Sequence, residues 1–140
     1  MKHIELKHGK YEITLLTKEE YKRYKNRIPL VNCWWWLRSP GFYQSYAAGV
    51  YDDGGVSANG LYADFDGYAV RPVLKSEDIN LTVGERFISL GNRWVVIDGH
   101  VAISEDVITH RRYDKKSNDW ETSELKSWLE EWALEGEYDE

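Results

Sequence analysis

Residues 34–41 read WWWLRSPG, and this run sets the main constraint on how the chain folds. Three adjacent indoles carry a large apolar surface, and burying such surface contributes about 25 cal/mol per Å². The residues that follow, 42–68, contain few of the aliphatic side chains that usually fill cores. The sequence therefore places a strong hydrophobic anchor directly before a segment that is poorly suited to form a core of its own.

The 42–68 tract has the composition of a binding surface. Between Ser39 and Val70 there is no lysine or arginine, and the tract holds four aspartates and seven aromatic rings among Gly, Ala and Ser. Tyrosine provides a large, stiff contact at low entropic cost, while Ser, Gly and Asn add adaptable hydrogen bonds. We therefore predict a ligand-binding site made of Phe42, Tyr43, Ser45, Tyr46, Tyr51, Asp52, Asp53, Ser57, Asn59, Leu61, Tyr62, Asp64, Phe65 and Tyr68.

Two further interpretations of the tract stay open. Except for Gln44, every residue type in 42–68 has a codon ending in a pyrimidine, which is the pattern expected if the adenines of Asn codons had been randomised. Loop composition alone also produces that pattern. Alternatively, the tract is a Tyr/Gly-rich β-region that packs on itself, although seven rings without clean alternation cannot all face a core.

The remaining chain predicts an α+β fold. Thr17 and Glu20 have the spacing of a capping box, which predicts a helix to about Asn26. A second helix should follow Thr122 or Ser123 and end at Gly136. Its buried stripe at i, i+3, i+4 and i+7 is Leu125, Trp128, Leu129 and Trp132. Predicted strands cover 3–7, 11–16, 69–74, 85–90, 93–98 and 100–104, and the last three form a meander. We expect two helices packed on small antiparallel sheets.

Length and charge limit the class of protein. The 140 residues fit a single domain, 1–140, with an acidic tail at 135–140. The net charge of −6 disfavours a nucleic-acid partner, because phosphate binding needs a basic face. No segment has the ~20 apolar residues of a membrane helix, so no membrane insertion is expected. The N-terminus lacks the apolar stretch of a signal peptide. We expect synthesis in the cytoplasm, with virion association or non-classical export as routes to an external ligand.

Catalytic and metal-binding motifs are weak. Cys33 is the only cysteine, so no disulfide can form within the chain, and a small buried hydrophobe is its favoured role. The aspartates at 52–53 and at 64 and 66 could ligate calcium, but turn formation is the simpler interpretation. The four histidines lack metal-ligand spacing. We therefore predict no catalytic residues, no metal and no cofactor, and the sequence leaves the oligomeric state open.

The motifs WWLRSPG at 35–41 and V-R-P-x-L at 70–74 together resemble a widespread bacterial domain family. Many of its members look like the variable proteins of diversity-generating retroelements, in which a reverse transcriptase copies adenine-specific errors into the tract between the two motifs. Weaker similarity extends to 14–21, 47–48, 53–54 and 118–129. In those members the meander and the Trp-x-x-Ser helix precede WWLRSPG, whereas here they follow it, so the chain resembles a circular permutant.

The resemblance implies a C-type-lectin-like fold, related in shape to formylglycine-generating enzymes. It implies a non-enzymatic protein with a variable surface that binds a protein or a cell-surface glycan. The tryptophan run would then be a rigid floor, with Arg38 and Arg71 as buried ties to carboxylates or main-chain carbonyls. Two alternatives stay open: a fixed structural or interaction module of phage or bacterial origin, and a relative of the formylglycine-generating enzymes, whose essential thiols this chain lacks.

Overall fold

The computed structural model describes residues 1–138 as a mixed α+β fold with two helices and two curled sheets. In chain order the elements are β1 (Lys2–His3), β2 (Glu12–Thr14), α1 (Lys18–Tyr24), β3 (Trp35–Pro40), β4 (Tyr46–Val50), β5 (Leu61–Tyr62), β6 (Ala69–Val70), β7 (Val73–Lys75), β8 (Arg86–Ser89), β9 (Asn92–Asp98), β10 (Val101–Ser104), β11 (Thr109–His110) and α2 (Glu124–Glu137). Two short 3-10 helices of one turn each lie at Lys25–Arg27 and Trp120–Thr122.

Both helices begin where their capping residues predict. The Thr17 hydroxyl accepts a hydrogen bond from the Glu20 N–H at 3.1 Å, and the Glu20 carboxylate accepts one from the Thr17 N–H at 2.9 Å, which completes the capping box. The Ser123 hydroxyl accepts from the N–H of Lys126 at 3.1 Å at the start of α2. Leu125 and Leu129 of the predicted stripe are buried, and Trp128 and Trp132 are half-buried beside them.

The second helix ends slightly later than its sequence predicts. Gly136 was expected to terminate it, but α2 continues to Glu137. A Cβ atom at Gly136 would lie 2.6 Å from the carbonyl oxygen of Leu90, so this glycine permits close packing against the β8–β9 turn. Residues 135–137 of the predicted acidic tail therefore belong to the helix, and Asp139 and Glu140 lie outside the described residues.

The larger sheet has the order β1-β8-β9-β10-β7-β2, and the smaller sheet has the order β11-β6-β3-β4-β5. The predicted meander is confirmed as the antiparallel run β8–β9–β10. The expectation of purely antiparallel sheets was wrong, because β1 pairs with β8 and β3 with β6 in parallel. These pairings join segments far apart in the chain, and local patterns do not encode such contacts.

The predicted strand at 69–74 is in fact two strands in different sheets. β6 belongs to the smaller sheet and β7 to the larger one, and Arg71 and Pro72 connect them. Proline has no N–H to donate to a ladder, which favours a break at this point. The crossing holds the two sheets together, and their facing sides enclose a core with α1 that includes Trp35, Val73 and Ile103. The helix α2 covers a second core, on the opposite side of the smaller sheet, around Trp36.

Arg71 is fully buried at this crossing and bonds only main-chain oxygens. Its guanidinium donates to the carbonyls of Ser104 at 2.9 Å, Pro29 at 2.7 Å and Glu105 at 3.1 Å. It also lies 5.3 Å from the ring centroid of Trp35. Arg38 differs, because its side chain is partly exposed, donates to the carbonyl of Leu15 at 3.0 Å and reaches Glu20 at 3.7 Å. Of the two arginines, Arg71 is the fully buried tie.

We predict that Arg71→Met lowers the free energy of unfolding by at least about 3 kcal/mol, since each hydrogen bond from a charged group contributes about 1.5–3 kcal/mol. Arg38→Met is the matched control and should lower it by about 1 kcal/mol, as expected for a partly exposed ion pair. Urea denaturation measures both values. Equal losses for the two variants would contradict the structural role given to Arg71.

Candidate functional site

The backbone of the 42–68 tract is held firmly by the smaller sheet. β4 pairs with β3 through Trp35 and Val50 at one end and through Pro40 and Ala47 at the other, and β5 pairs with the start of β4. Outside the ladders, the Phe42 N–H donates to the Asn59 carbonyl at 2.7 Å. Gly60 adopts a φ of +98° in this turn, a conformation that other residues rarely adopt. The tract is therefore an ordered part of the fold.

The fourteen predicted site residues divide by exposure. The exposed ones are Phe42, Tyr43, Ser45, Asp52, Asp53, Asn59, Tyr62, Asp64 and Phe65. The half-buried ones are Tyr46, Tyr51 and Tyr68. The assignments of Ser57 and Leu61 to a ligand surface were wrong, because the exposed fraction is only 4% for Ser57 and 6% for Leu61. The Ser57 hydroxyl accepts a hydrogen bond from the Gly60 N–H at 3.1 Å, and Leu61 packs in the core beneath α2.

Four rings of the tract form what we call the tyrosine cluster: Phe42, Tyr43, Tyr46 and Tyr62. Successive ring centroids are 4.9, 5.2 and 4.7 Å apart, each in an edge-to-face arrangement. Three of the four rings are largely exposed, and a hydrogen bond with Tyr62 raises the pKa of Tyr46. The cluster is a largely exposed aromatic surface that carries three phenol groups.

A second group, the tryptophan cluster, contains Trp34, Tyr51, Phe65 and Tyr68. Tyr68 stacks on Trp34 with centroids 5.8 Å apart, while Tyr51 meets Trp34 at 4.6 Å and Phe65 meets Tyr68 at 4.7 Å. Tyr68 also contacts the buried Trp36 at 5.0 Å, which anchors this cluster to the core. The cluster thus combines exposed rings with a rigid base.

Trp34 is an exposed ring of the tryptophan cluster that the sequence-based set of candidate residues did not include. The run 34–36 was expected to be a uniform floor, but 40% of Trp34 is exposed, whereas Trp35 and Trp36 are buried on opposite faces of β3. Trp34 directly precedes the first residue of β3, and its side chain belongs to neither of these two cores. The strand alternation that separates Trp35 from Trp36 was available from the sequence, but the position at which the strand begins was not.

The two clusters lie at opposite ends of β4. Tyr46 begins this strand and Tyr51 follows its last residue, so about five steps of roughly 3.3 Å separate them along the strand. The turn between Tyr62 and Phe65, closed by a 3.1 Å hydrogen bond from the Phe65 N–H to the Tyr62 carbonyl, connects them. The predicted single surface is therefore two aromatic patches joined by a short turn.

The aspartates around the tract are mainly exposed, and one of them builds a turn. The Asp53 carboxylate accepts a hydrogen bond from the Gly55 N–H at 2.8 Å. Gly54, with a φ of +89°, directs its carbonyl to the Tyr21 hydroxyl at 2.6 Å, which ties this turn to α1. Within residues 1–138 no group of three or more His, Cys, Asp or Glu side chains is arranged to hold a metal ion.

Cys33 is half-buried and packs against the core that contains Trp35. Burial raises the pKa of its thiol, although the positive charge of Arg71 acts in the other direction. A reactive cysteine needs a lowered pKa, because the thiolate is the nucleophile. The surroundings of Cys33 therefore do not activate it.

The chain belongs to the family described as "Domain of unknown function (DUF6273)", whose model matches residues 2–76. The match covers the tryptophan run, the whole 42–68 tract and the Arg71 crossing, and it ends just after β7. No curated protein and no solved structure matches the chain. In the part of the chain that the structure describes, no helix combines the length and apolar character needed to span a bilayer.

The neighbouring tryptophans provide a matched test of the division between core and surface. We predict that Trp35→Ala lowers the free energy of unfolding by about 3–5 kcal/mol, the usual cost for a buried aromatic residue. Trp34→Ala should lower it by about 1–2 kcal/mol, the value of the ring contacts that it loses. Tyr46→Ala should also lower it by about 1–2 kcal/mol. Thermal and urea denaturation check these values, and a Trp34 or Tyr46 variant as unstable as Trp35→Ala would contradict the division.

Proposed function

We propose that this chain is a non-enzymatic, receptor-like ligand-binding protein that displays the 42–68 tract as a variable surface. The observation that carries the proposal is the exposure of large rings on a hydrogen-bonded backbone: Phe42, Tyr43, Tyr62 and Phe65 are all about half exposed or more. Solvent exposure of several adjacent rings is costly, and aromatic side chains dominate the energetics of binding surfaces. An aromatic surface on a rigid frame supports recognition of a ligand.

The arrangement of the tract supports variation at selected positions. Ala47, Ala48, Val50, Leu61 and Ala63 are buried, and the glycines with positive φ angles define its turns. The exposed side chains between these positions, such as Phe42, Asp52 and Tyr62, belong to neither of these cores. A frame whose conformation does not depend on its exposed side chains tolerates their replacement.

The chemistry of the tract favours protein or cell-surface glycan ligands. Aromatic rings present flat apolar faces on which sugar rings stack, and Asp52 and Asp64 are exposed carboxylates that accept hydrogen bonds from hydroxyl or cationic groups. The absence of lysine and arginine from 39–70 disfavours polyanions. We expect ligand contacts from the rings, with Trp34 added to the sequence-based set, and selectivity from the polar residues.

A C-type-lectin-like scaffold is part of the proposal. Two helices with two curled sheets support it, together with the WWLRSPG and V-R-P-x-L motifs that resemble variable proteins of diversity-generating retroelements. On this proposal the chain is a circular permutant of those proteins, and virion association or non-classical export brings it to its ligand. A fixed phage or bacterial interaction module is the alternative, and the mutual packing of the rings within each cluster favours it.

Sequencing codons 40–72 from a growing population of the source organism or phage tests the proposal. We predict substitutions at the exposed positions of the tract, including 42–45, 52–53, 58–59, 62 and 64–66. Within these codons, the changes should fall at nucleotides that were copied from adenines. Positions 47–50, 54, 57, 61 and 63 should stay constant, because their side chains are buried or, at 54, because the glycine has a positive φ.

Two results would count against this function. A uniform tract would remove current diversification and leave the fixed module. Substitutions spread equally over buried and exposed positions would contradict the role of the tract as a display surface. The codons of α2 are the internal control, since they lie outside the tract and should show only the background rate of substitution.

A further inference from the structure

A groove with a volume of about 360 Å³ lies between β2 and α2, and no residue of the 42–68 tract lines it. One wall is strand β2 and the turn before it, and the other wall is the face of α2 that carries Lys126, Glu130 and Leu134. Arg38 and Trp120 also line the groove. Its volume is at the lower end of the range for pockets that hold small ligands or short peptide segments.

Strand β2 forms one edge of the larger sheet and bonds only β7 within that sheet. The Ser76 N–H donates to the carbonyl of His100, and the Ser104 N–H donates to the carbonyl of Pro72. The main-chain N–H and C=O groups of residues 72, 74 and 76 therefore point toward β10. Because bonding alternates along a strand, Val73 and Lys75 bond β2 instead.

The partners of Val73 and Lys75 in β2 are Thr14 and Glu12. The intervening Ile13 must therefore point its N–H and C=O away from β7, toward the open edge. The hydrogen bond from the Arg38 guanidinium to the carbonyl of Leu15, two residues further along, has the same outward direction. An outward donor and acceptor on an edge strand form a template for an additional strand.

The groove is lined by both cations and carboxylates, and they differ in whether they have partners. Lys126 pairs with Glu121 at 3.4 Å. Arg38 reaches Glu20 at 3.7 Å, and Lys75 binds the same carboxylate at 2.8 Å, so Glu20 offsets only part of the charge of Arg38. Among residues 1–138, the carboxylates of Glu12 and Glu130 have neither an ion-pair partner nor a hydrogen-bond donor. The groove therefore presents two unpaired negative charges, one on each wall, beside the exposed side chain of Leu134.

We propose that the groove binds an extended, basic segment of a partner protein, which adds to β2 as a further strand. The segment bonds the N–H and C=O of Ile13 through its backbone, as in other strand-addition complexes. Lysine or arginine side chains on the segment pair with Glu12 and Glu130, and an apolar residue between them packs on Ala133 and Leu134. Glu137 holds the far ends of both walls together, since its carboxylate accepts from the His8 N–H at 3.0 Å and the Tyr11 hydroxyl at 2.8 Å.

Selection of octapeptides from a random display library on the immobilised protein tests this site. The selected peptides should carry Lys or Arg at alternating positions, and in ¹⁵N–¹H spectra they should shift the Ile13 amide and slow its hydrogen exchange. A peptide N-methylated at its central residue should lose at least tenfold in affinity, because it cannot bond a strand edge. The double variant Glu12→Gln, Glu130→Gln should bind about tenfold more weakly, a change of about 1.4 kcal/mol.

Glu131→Gln is the matched control, because Glu131 lies on the same helix and does not line the groove. It should bind the selected peptides as the parent protein does. Failure to select any peptide, equal binding of the N-methylated peptide, or selected peptides without basic residues would overturn the proposal. Concentration-dependent dimerisation that protects the Ile13 amide without peptide would overturn it in favour of a second copy at this edge. None of these results bears on the 42–68 tract, whose ligands should leave the Ile13 amide unshifted.

Discussion

The fold depends on one buried cation at the point where the chain crosses between its two sheets. Arg71 fastens the segment after α1 and the end of β10 to the crossing, and its guanidinium lies against Trp35. Burial lowers its pKa to about 10, and the negative charge of Asp106 opposes that shift, so the side chain stays charged at neutral pH. Because a buried charge is costly unless it is satisfied, the carbonyls must remain in place around it. The guanidinium also contacts the ring of Trp35, the first residue of β3, and β4 of the 42–68 tract pairs with that strand.

The arrangement of β3 explains why the tryptophan run 34–36 directly precedes the 42–68 tract, which contains few core-forming side chains. Trp35 and Trp36 insert into two cores on opposite faces of one strand, so β3 is fixed from both sides. β4 buries Ala47, Ala48 and Val50 beside β3, and the turns that flank it use main-chain hydrogen bonds. The buried tryptophans and Arg71 belong to the WWLRSPG and V-R-P-x-L motifs, while many side chains of the tract between them remain exposed.

Local features of the sequence predicted the parts of the fold that depend on neighbouring residues. The capping box at Thr17 and Glu20, the stripe of α2 and the β8–β9–β10 meander all follow from short-range geometry. The parallel pairs, the division of 69–74 between two sheets and the burial of Ser57 and Leu61 depend on distant segments. For the site, composition identified the exposed rings, but the separation of two clusters requires knowledge of which strand ends meet. Trp34 was missed because its residue type alone indicates burial.

The two proposed surfaces use separate parts of the chain, and this separation has a functional consequence. The tyrosine and tryptophan clusters are built almost wholly from the tract between WWLRSPG and V-R-P-x-L, whereas the groove is built from β2, α2 and Arg38. Substitution of exposed side chains in the tract leaves Ile13, Glu12 and Glu130 unchanged. A partner strand in the groove would therefore stay bound while the ligand of the tract changed. If both proposals hold, the groove would be an attachment that does not change when the side chains of the tract are replaced.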